Sequence, residues 1–509
     1  MLARLHSVAL VGIDGIICEV EVDVARGGFE KSLIVGLPDA AVKESTERVK
    51  SAITNSGYKY PKTQSLVNLA PADVKKVGPA FDLPIALGML IGHGVLVSSV
   101  VKDFVIVGEL ALDGRVRPVN GVLNMAMTAN ANGFSRMVVP LENAREAAVV
   151  NNIEVYGAGS LAQAVGFLSG QLPLETMTVD IDGLFGEASS YEVDFGDVKG
   201  QESVKRALTV AAAGGHNIMM IGPPGAGKTM LAQRLATILP PLSLEESLET
   251  TCIYSSVGLL GKEKALLATR PVRMPHYSAS GPALVGGGTN PRPGELSLAH
   301  FGILFLDEFC EFPRHVLEMI RQPLEDAFIT VSRAKGTIRF PAQFMLVAAM
   351  NPCPCGYFGS DARRCKCTPG QIERYLSKVS GPLVDRIDIH IDVPAISFAK
   401  LRSKLGQLDS ATMKEDVVKA RDDQAKRFGD GKVMTNARMS HKQVERFCKL
   451  DSASEQMLKQ AMTELGLSAR AHDKICKVAR TIADLAGDEE IRPEYVAEAV
   501  SYRRLDRKL

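Results

Sequence analysis

A chain of 509 residues with 46% hydrophobic and 23% charged side chains has the composition of an ordinary folded protein, and its length predicts two to four domains. The formal net charge of +1 excludes a global positive field, so any nucleic-acid contact must be concentrated in a loop or a pore. No apolar run is long enough to span a membrane, and Met1-Leu2-Ala3-Arg4-Leu5-His6 lacks a signal-peptide layout. The chain is therefore expected in the cytoplasm, with its nine cysteines as thiols or metal ligands rather than disulfides.

Residues from about 5 to 170 alternate strand and helix signals. Ser7 to Gly12 and Cys18 to Val24 read as strands, the second alternating as a half-buried strand does. Leu33 to Pro38 is another strand, after which Asp39 caps a helix. Phe104 to Leu110, a turn at 112–116, a helix near 121–132 and the strand Met137 to Pro140 complete a mixed α/β domain over 1–170. Residues 171–192 are acidic and punctuated by Pro173, Gly183, Gly186 and Ser189-Ser190, which predicts a linker.

The apolar strand ending at Ile221 runs into Gly222-Pro223-Pro224-Gly225-Ala226-Gly227-Lys228-Thr229, and a helical pattern follows from Met230. This strand, Gly-rich turn and helix form the phosphate-binding P-loop. Its glycines let backbone N–H groups surround phosphates, and the helix points its positive dipole end at them. Lys228 would reach the β- and γ-phosphates of ATP, and Thr229 would hold Mg²⁺. Residues Gly222 through Met230 are thus the candidate nucleotide-binding segment. A Gly/Pro-rich turn between any strand and helix is the plain alternative.

The stretch from 228 to 307 exceeds the about 30 residues of one βαβ unit, so an insertion is expected. Part of it, Gly286-Gly287-Gly288-Thr289-Asn290-Pro291-Arg292-Pro293-Gly294, predicts an exposed, mobile loop carrying Arg292 as a candidate DNA contact. Ile303-Leu304-Phe305-Leu306 then reads as a strand buried on both faces and ending in Asp307-Glu308. Asp307 would bind Mg²⁺ through water, and Glu308 would polarise the attacking water. Residues 328–333 and 337–340 flank Ala334-Lys335-Gly336 as a β-hairpin whose basic tip, Arg333 and Lys335, is a second candidate DNA contact. The strand from Phe344 to Met350 ends at Asn351, a polar residue placed beside the P-loop as a γ-phosphate sensor.

Cys353, Cys355, Cys365 and Cys367 fall in a Pro- and Gly-bearing loop over 352–369, too irregular to bury a core. Four thiolates in a reducing compartment suit a structural Zn²⁺. Free thiols, or disulfides formed on isolation, are the alternatives. Beyond about 396 the pattern is helical, with apolar spacing of three to four.

Together, Gly222–Thr229, Gly286–Glu295, Leu306–Glu308, the basic hairpin and Asn351-Pro352-Cys353-Pro354-Cys355-Gly356 resemble the magnesium-chelatase-like branch of AAA+ ATPases. Lys76-Val77-Gly78-Pro79-Ala80-Phe81-Asp82-Leu83 and Gly114-Arg115-Val116-Arg117-Pro118-Val119-Asn120-Gly121-Val122 resemble the fold of Lon peptidase domains. Both features in one chain are similar to the ComM (YifB) family of competence-associated helicases. The resemblance implies an α/β fold: a Lon-peptidase-like α/β domain at 1–170, an AAA+ P-loop α/β core at 193–395 and a C-terminal helical lid at 396–509. It places Ala80 and Leu123 where the peptidases carry a Ser nucleophile and its Lys. Neither side chain can attack or take a proton, so the first domain is expected to be a scaffold without peptidase activity. It further implies Arg386 as an arginine finger for the neighbouring subunit and Arg470 as a second sensor on the lid. The implied activity is ATP-dependent DNA unwinding and branch migration by a homo-hexamer during natural transformation. Single-stranded and branched DNA and recombination proteins would be its partners. A metal-insertion motor of the magnesium-chelatase type and a protein unfoldase are the rival readings.

Overall fold

The computed structural model describes residues 2–503 except 26, 28–30, 188–190, 262–263, 334–335, 360–362, 396–407 and 430–434. The first domain is built on β1 (Leu2–Val11), β2 (Asp14–Val24), β3 (Lys31–Val35), β4 (Gln64–Ala70), β5 (Phe104–Ile106), a small hairpin of β6 (Glu109–Leu110) and β7 (Val116–Arg117), β8 (Arg136–Pro140) and β9 (Glu154–Ala158). Seven of these make one mixed sheet in the order β3-β4-β2-β1-β5-β8-β9. The pair β1 and β2 is antiparallel, while β1-β5, β5-β8 and β8-β9 are parallel. Adjacent residues point to opposite faces of a strand, and the two faces carry separate apolar clusters. Ile106 and Val138 pack with the helix Asp82–Gly92, whereas Val105 and Met137 pack with the helix Val122–Ala131.

Residues 171–192 are more ordered than the predicted linker. A helix spans Ile181–Glu187, and Val179, Ile181, Leu184 and Phe185 pack against Val149, Ala265 and Leu266. The spacing of those apolar residues gives the segment a face to bury, which its glycines and acidic residues mask in the sequence.

The second sheet contains β10 (Ile218–Ile221), β11 (Val272–Arg273), β12 (Ile303–Leu306), β15 (Met345–Met350) and β16 (Ile389–Asp392), with β13 (Phe328–Arg333) and β14 (Gly336–Pro341) forming a separate hairpin. The order is β11-β12-β15-β10-β16, every neighbouring pair parallel. Its strands are apolar runs because helices cover both faces. One face shares a continuous core with the helices Glu202–Gly214, Ser410–Phe428, Ala469–Ala486 and Pro493–Ser501. The C-terminal helices, expected as a lid, are therefore fused to the sheet through residues such as Met413, Val417, Val478 and Ile482.

The two halves meet through insertions of the P-loop half. Gly121 N donates to Ser255 O at 2.9 Å, and Ser255 Oγ to the buried Glu146 carboxylate at 2.7 Å. The β1–β2 turn sits on the hairpin: Gly12 lies so close to Ile338 that a Cβ there would come within 2.7 Å of its Cγ2.

Candidate nucleotide-binding site and cysteine cluster

Parallel pairing brings the carboxyl ends of β10, β12 and β15 side by side, so Gly222, Asp307 and Asn351 converge at one edge of the sheet. Ligands in open α/β sheets bind at such an edge. Gly222 has no alternative residue: a Cβ would meet Val393 O at 2.2 Å. Gly225 and Gly227 turn with φ of +77° and +85°, and the helix Lys228–Ile238 starts directly after them.

Lys228 Nζ donates to Gly222 O at 2.6 Å, Pro223 O at 3.1 Å and Asn351 Oδ1 at 3.1 Å. Burial pushes its pKa down, and Asp307 partly opposes that shift. A cation held only by neutral oxygens in a desolvated pocket gains from an arriving phosphate anion. Thr229 Oγ1 donates to Asp307 Oδ2 at 2.6 Å, so the two expected Mg²⁺ ligands are already adjacent. Glu308 stands exposed beyond the end of β12 with φ of +50°, a strained backbone for a residue with a side chain. Its own N–H donates to Asp307 Oδ1 at 2.9 Å.

Gln201 is a further member of the site, and its tie to the P-loop is not read from the sequence. Its Nε2 donates to Ala226 O at 2.9 Å and Pro394 O at 3.1 Å, tying the P-loop to the chain leaving β16. Its left-handed backbone, φ +59°, and its burial mark it.

Arg386 and Arg470 lie elsewhere. Arg386 immediately precedes β16, whose Ile389 pairs with Ile218, so it occupies the opposite end of the strands from Gly222. Its guanidinium pairs with Glu325 at 2.7 Å, not with Asp385 or Asp388. Arg470 is exposed and comes within 3.8 Å of Asp385, at that same far end. Asp388 anchors this corner, accepting from Asn217 N at 3.1 Å with Lys474 Nζ 3.0 Å away. Burial opposes its ionisation, but Lys474 and His216 outweigh that and hold its carboxyl well below the usual range.

Of the expected DNA contacts, Arg292 is exposed to solvent. Its loop is pinned at the neck rather than free, since Gly287 and Arg292 exchange two backbone hydrogen bonds of 3.0 and 3.1 Å. The hairpin forms as predicted, with Arg333 paired to Gly336 in the backbone register, while Lys335 and the Arg333 side chain lie outside the described residues. In the first domain Ala80 and Leu123 are buried within one apolar cluster.

The four cysteines converge. All four Sγ atoms lie within 4.8 Å of one another, with Cys353–Cys355, Cys355–Cys365 and Cys353–Cys365 at 3.4, 3.6 and 3.8 Å. Tetrahedral Zn–S bonds of about 2.3 Å separate sulfurs by about 3.8 Å. A disulfide would bring two of them to about 2.05 Å. The donor set and its spacing therefore fit a four-coordinate zinc.

Comparison with known proteins agrees with this layout. A family model described as magnesium chelatase, subunit ChlI, matches residues 194–401. Its C-terminal counterpart matches 407–503, and a model described as subunit ChlI of Mg-chelatase matches 20–143. The competence protein ComM of Haemophilus influenzae is 44% identical over 100% of this chain and 98% of its own length. The uncharacterized protein YifB of Escherichia coli is 42% identical over the same shares of the two chains. The magnesium-chelatase 38 kDa subunit of Rhodobacter capsulatus is 28% identical over 31% of this chain and 50% of its own. With full-length identity to these proteins and an AAA+ P-loop core of the magnesium-chelatase type, the chain belongs to the ComM/YifB family.

Proposed function

We propose that this protein is an ATP-driven DNA motor that works as a hexameric ring and promotes branch migration during the recombination of natural transformation. The observation that carries the reading is the separation between Lys228 and Arg386 at opposite ends of the same strands. One subunit binds ATP and Mg²⁺ through Lys228, Thr229 and Asp307, and Glu308 activates water. The charge that develops on the γ-phosphate is met by Arg386 from the next subunit. Asn351, already hydrogen-bonded to Lys228, reports the γ-phosphate within the subunit. Arg470, beside Asp385, acts with Arg386 across the interface. The hairpin tip at Arg333 and Lys335 and the loop at Arg292 grip DNA phosphates without reading bases. Zn²⁺ on Cys353, Cys355, Cys365 and Cys367 is structural. The competence name of the Haemophilus relative supports DNA as the substrate.

A chelatase-type motor is the weaker reading, because the chelatase relative is 28% identical over 31% of this chain while the competence relative is 44% identical over all of it. An unfoldase that degrades its substrate would lack a nucleophile, with Ala80 and Leu123 at the relevant positions. The test is purified protein, MgATP and a labelled four-way DNA junction. ATP-dependent migration of the branch is expected. Turnover of ATP that neither responds to DNA nor moves the junction overturns the proposal.

A further inference from the structure

The phosphate-binding loop is held from three sides. Gln201 fixes Ala226, and the carbonyl of Val393 abuts Gly222. The third support is the turn at Gly356. A Cβ on Gly356 would lie 2.5 Å from Pro224 Cδ and 2.7 Å from its Cγ, so the turn rests directly on the loop. Gly356 adopts φ of +82°, and its N–H closes the turn onto Cys353 O at 2.9 Å.

The first two supports belong to the helix and sheet framework. The third does not. Among the described residues, 352–368 contain no helix or strand. The segment leaves β15 at Asn351 and next joins regular structure at the helix Pro369–Leu376. An irregular stretch of this length without backbone pairing needs another cross-link to stay in one shape. The cysteines supply one: Cys353 and Cys355 lead into the turn, and Cys365 and Cys367 return from the far end of the loop to meet them.

We propose that a single Zn²⁺ bound by Cys353, Cys355, Cys365 and Cys367 locks the Gly356 turn against Pro224 and so sets the shape of the phosphate-binding loop, making nucleotide affinity metal-dependent. The proposal rests on the reading of this loop as an ATP site. Removing the metal frees two ends of the knuckle, the contact at Pro224 loosens, and the backbone N–H groups lose their common aim. Asn351, two residues before the first ligand, would lose its fixed position against Lys228 by the same movement. The effect should fall on binding, since Asp307 and Glu308 follow a different strand.

The test uses the full chain purified without metal-affinity resin. Zinc is counted by mass spectrometry, and the affinity for a fluorescent ADP is measured with Mg²⁺ present, before and after stripping with a zinc-selective chelator. Far-UV circular dichroism follows the fold throughout. About one zinc per chain is expected, with affinity falling at least tenfold on stripping and recovering when Zn²⁺ is returned. Cys365→Ser should lose the zinc and show the stripped affinity. Gly356→Ala tests the contact itself: it should keep its zinc and still bind ADP at least fivefold more weakly. Protein that carries no zinc as purified, or that binds ADP equally well with and without it, overturns the proposal. Gly356→Ala with full affinity overturns the strut. Zinc-loaded protein that binds no ADP at all would instead refute the nucleotide reading, and this inference with it.

Discussion

In the proposed mechanism Lys228 binds the phosphates and Glu308 activates water, so their substitutions should separate. Lys228→Ala removes a desolvated cation whose partners are Gly222, Pro223 and Asn351. Charged hydrogen bonds are worth about 1.5–3 kcal/mol, so nucleotide affinity should fall about 10- to 100-fold in a fluorescent-nucleotide titration. Glu308→Gln keeps Asp307 and Thr229 and should bind ATP normally, while steady-state hydrolysis falls roughly 100- to 10,000-fold with the loss of the water activator. Normal turnover in Glu308→Gln would remove that residue from the chemistry. A third single residue governs stability. Asp388 is ionised in the folded state against Lys474, His216 and the amide of Asn217. Its folded pKa lies below the unfolded one, so its contribution is complete above about pH 4 and drains away as pH falls further. Asp388→Ala leaves Lys474 buried without its partner and should cost about 3–5 kcal/mol in urea unfolding at neutral pH. The variant should also lose less stability than the native chain between about pH 4 and pH 2.

The proposed DNA contacts belong to whole elements. The hairpin of β13 and β14 is antiparallel with a tight end at Arg333 and Gly336, a geometry suited to a loop that tracks a phosphate backbone. Lys335→Ala should weaken single-stranded DNA binding, reduce the slope of log affinity against log salt by about one, and leave basal ATP turnover in place. An unchanged salt series would assign the tip to subunit packing. The hairpin is also braced from behind. Gly12, with φ of +69°, touches Ile338 and Phe340 on β14. Gly12→Val should push β14 away, speed amide exchange across 328–341, and impair junction migration while nucleotide affinity is kept. Migration lost in Gly12→Val with affinity kept would show that the first domain braces the hairpin, a role that needs no peptidase chemistry, consistent with Ala80 and Leu123 lying in an apolar cluster.

At the scale of the whole molecule, the arginines lie at one end of β16 and the P-loop at the other, so in the proposed mechanism a neighbouring subunit completes each site. Mixing inactive Lys228→Ala subunits with inactive Arg386→Ala subunits should therefore restore measurable ATPase activity, because some interfaces then pair an intact P-loop with an intact arginine. No recovery at any ratio, in rings shown by native mass spectrometry to be mixed, would place Arg386 in a purely intrachain role with Glu325.

The P-loop, Asp307-Glu308 and Asn351 were legible in the sequence because their chemistry demands particular residues at fixed distances along a strand and its turn. The long apolar runs of β10, β12 and β15 were legible for the same local reason: strands covered on both faces admit few polar side chains. The four cysteines were legible by type, number and spacing, and their Sγ atoms converge as a shared metal requires. What the sequence left open depends on residues far apart in the chain. Gln201 looks like any polar residue until the fold sets it between Ala226 and Pro394. Gly356 is one glycine among many until Pro224 is placed against it. The segment 171–192 reads as a linker until Val149, Ala265 and Leu266 supply a surface for its apolar side chains. Likewise, helical periodicity predicts that the C-terminal helices have an apolar face but not that this face merges with the sheet's own core. Local patterns fix which groups the backbone can present; only tertiary packing, which pairs surfaces far apart along the chain, decides what each group meets.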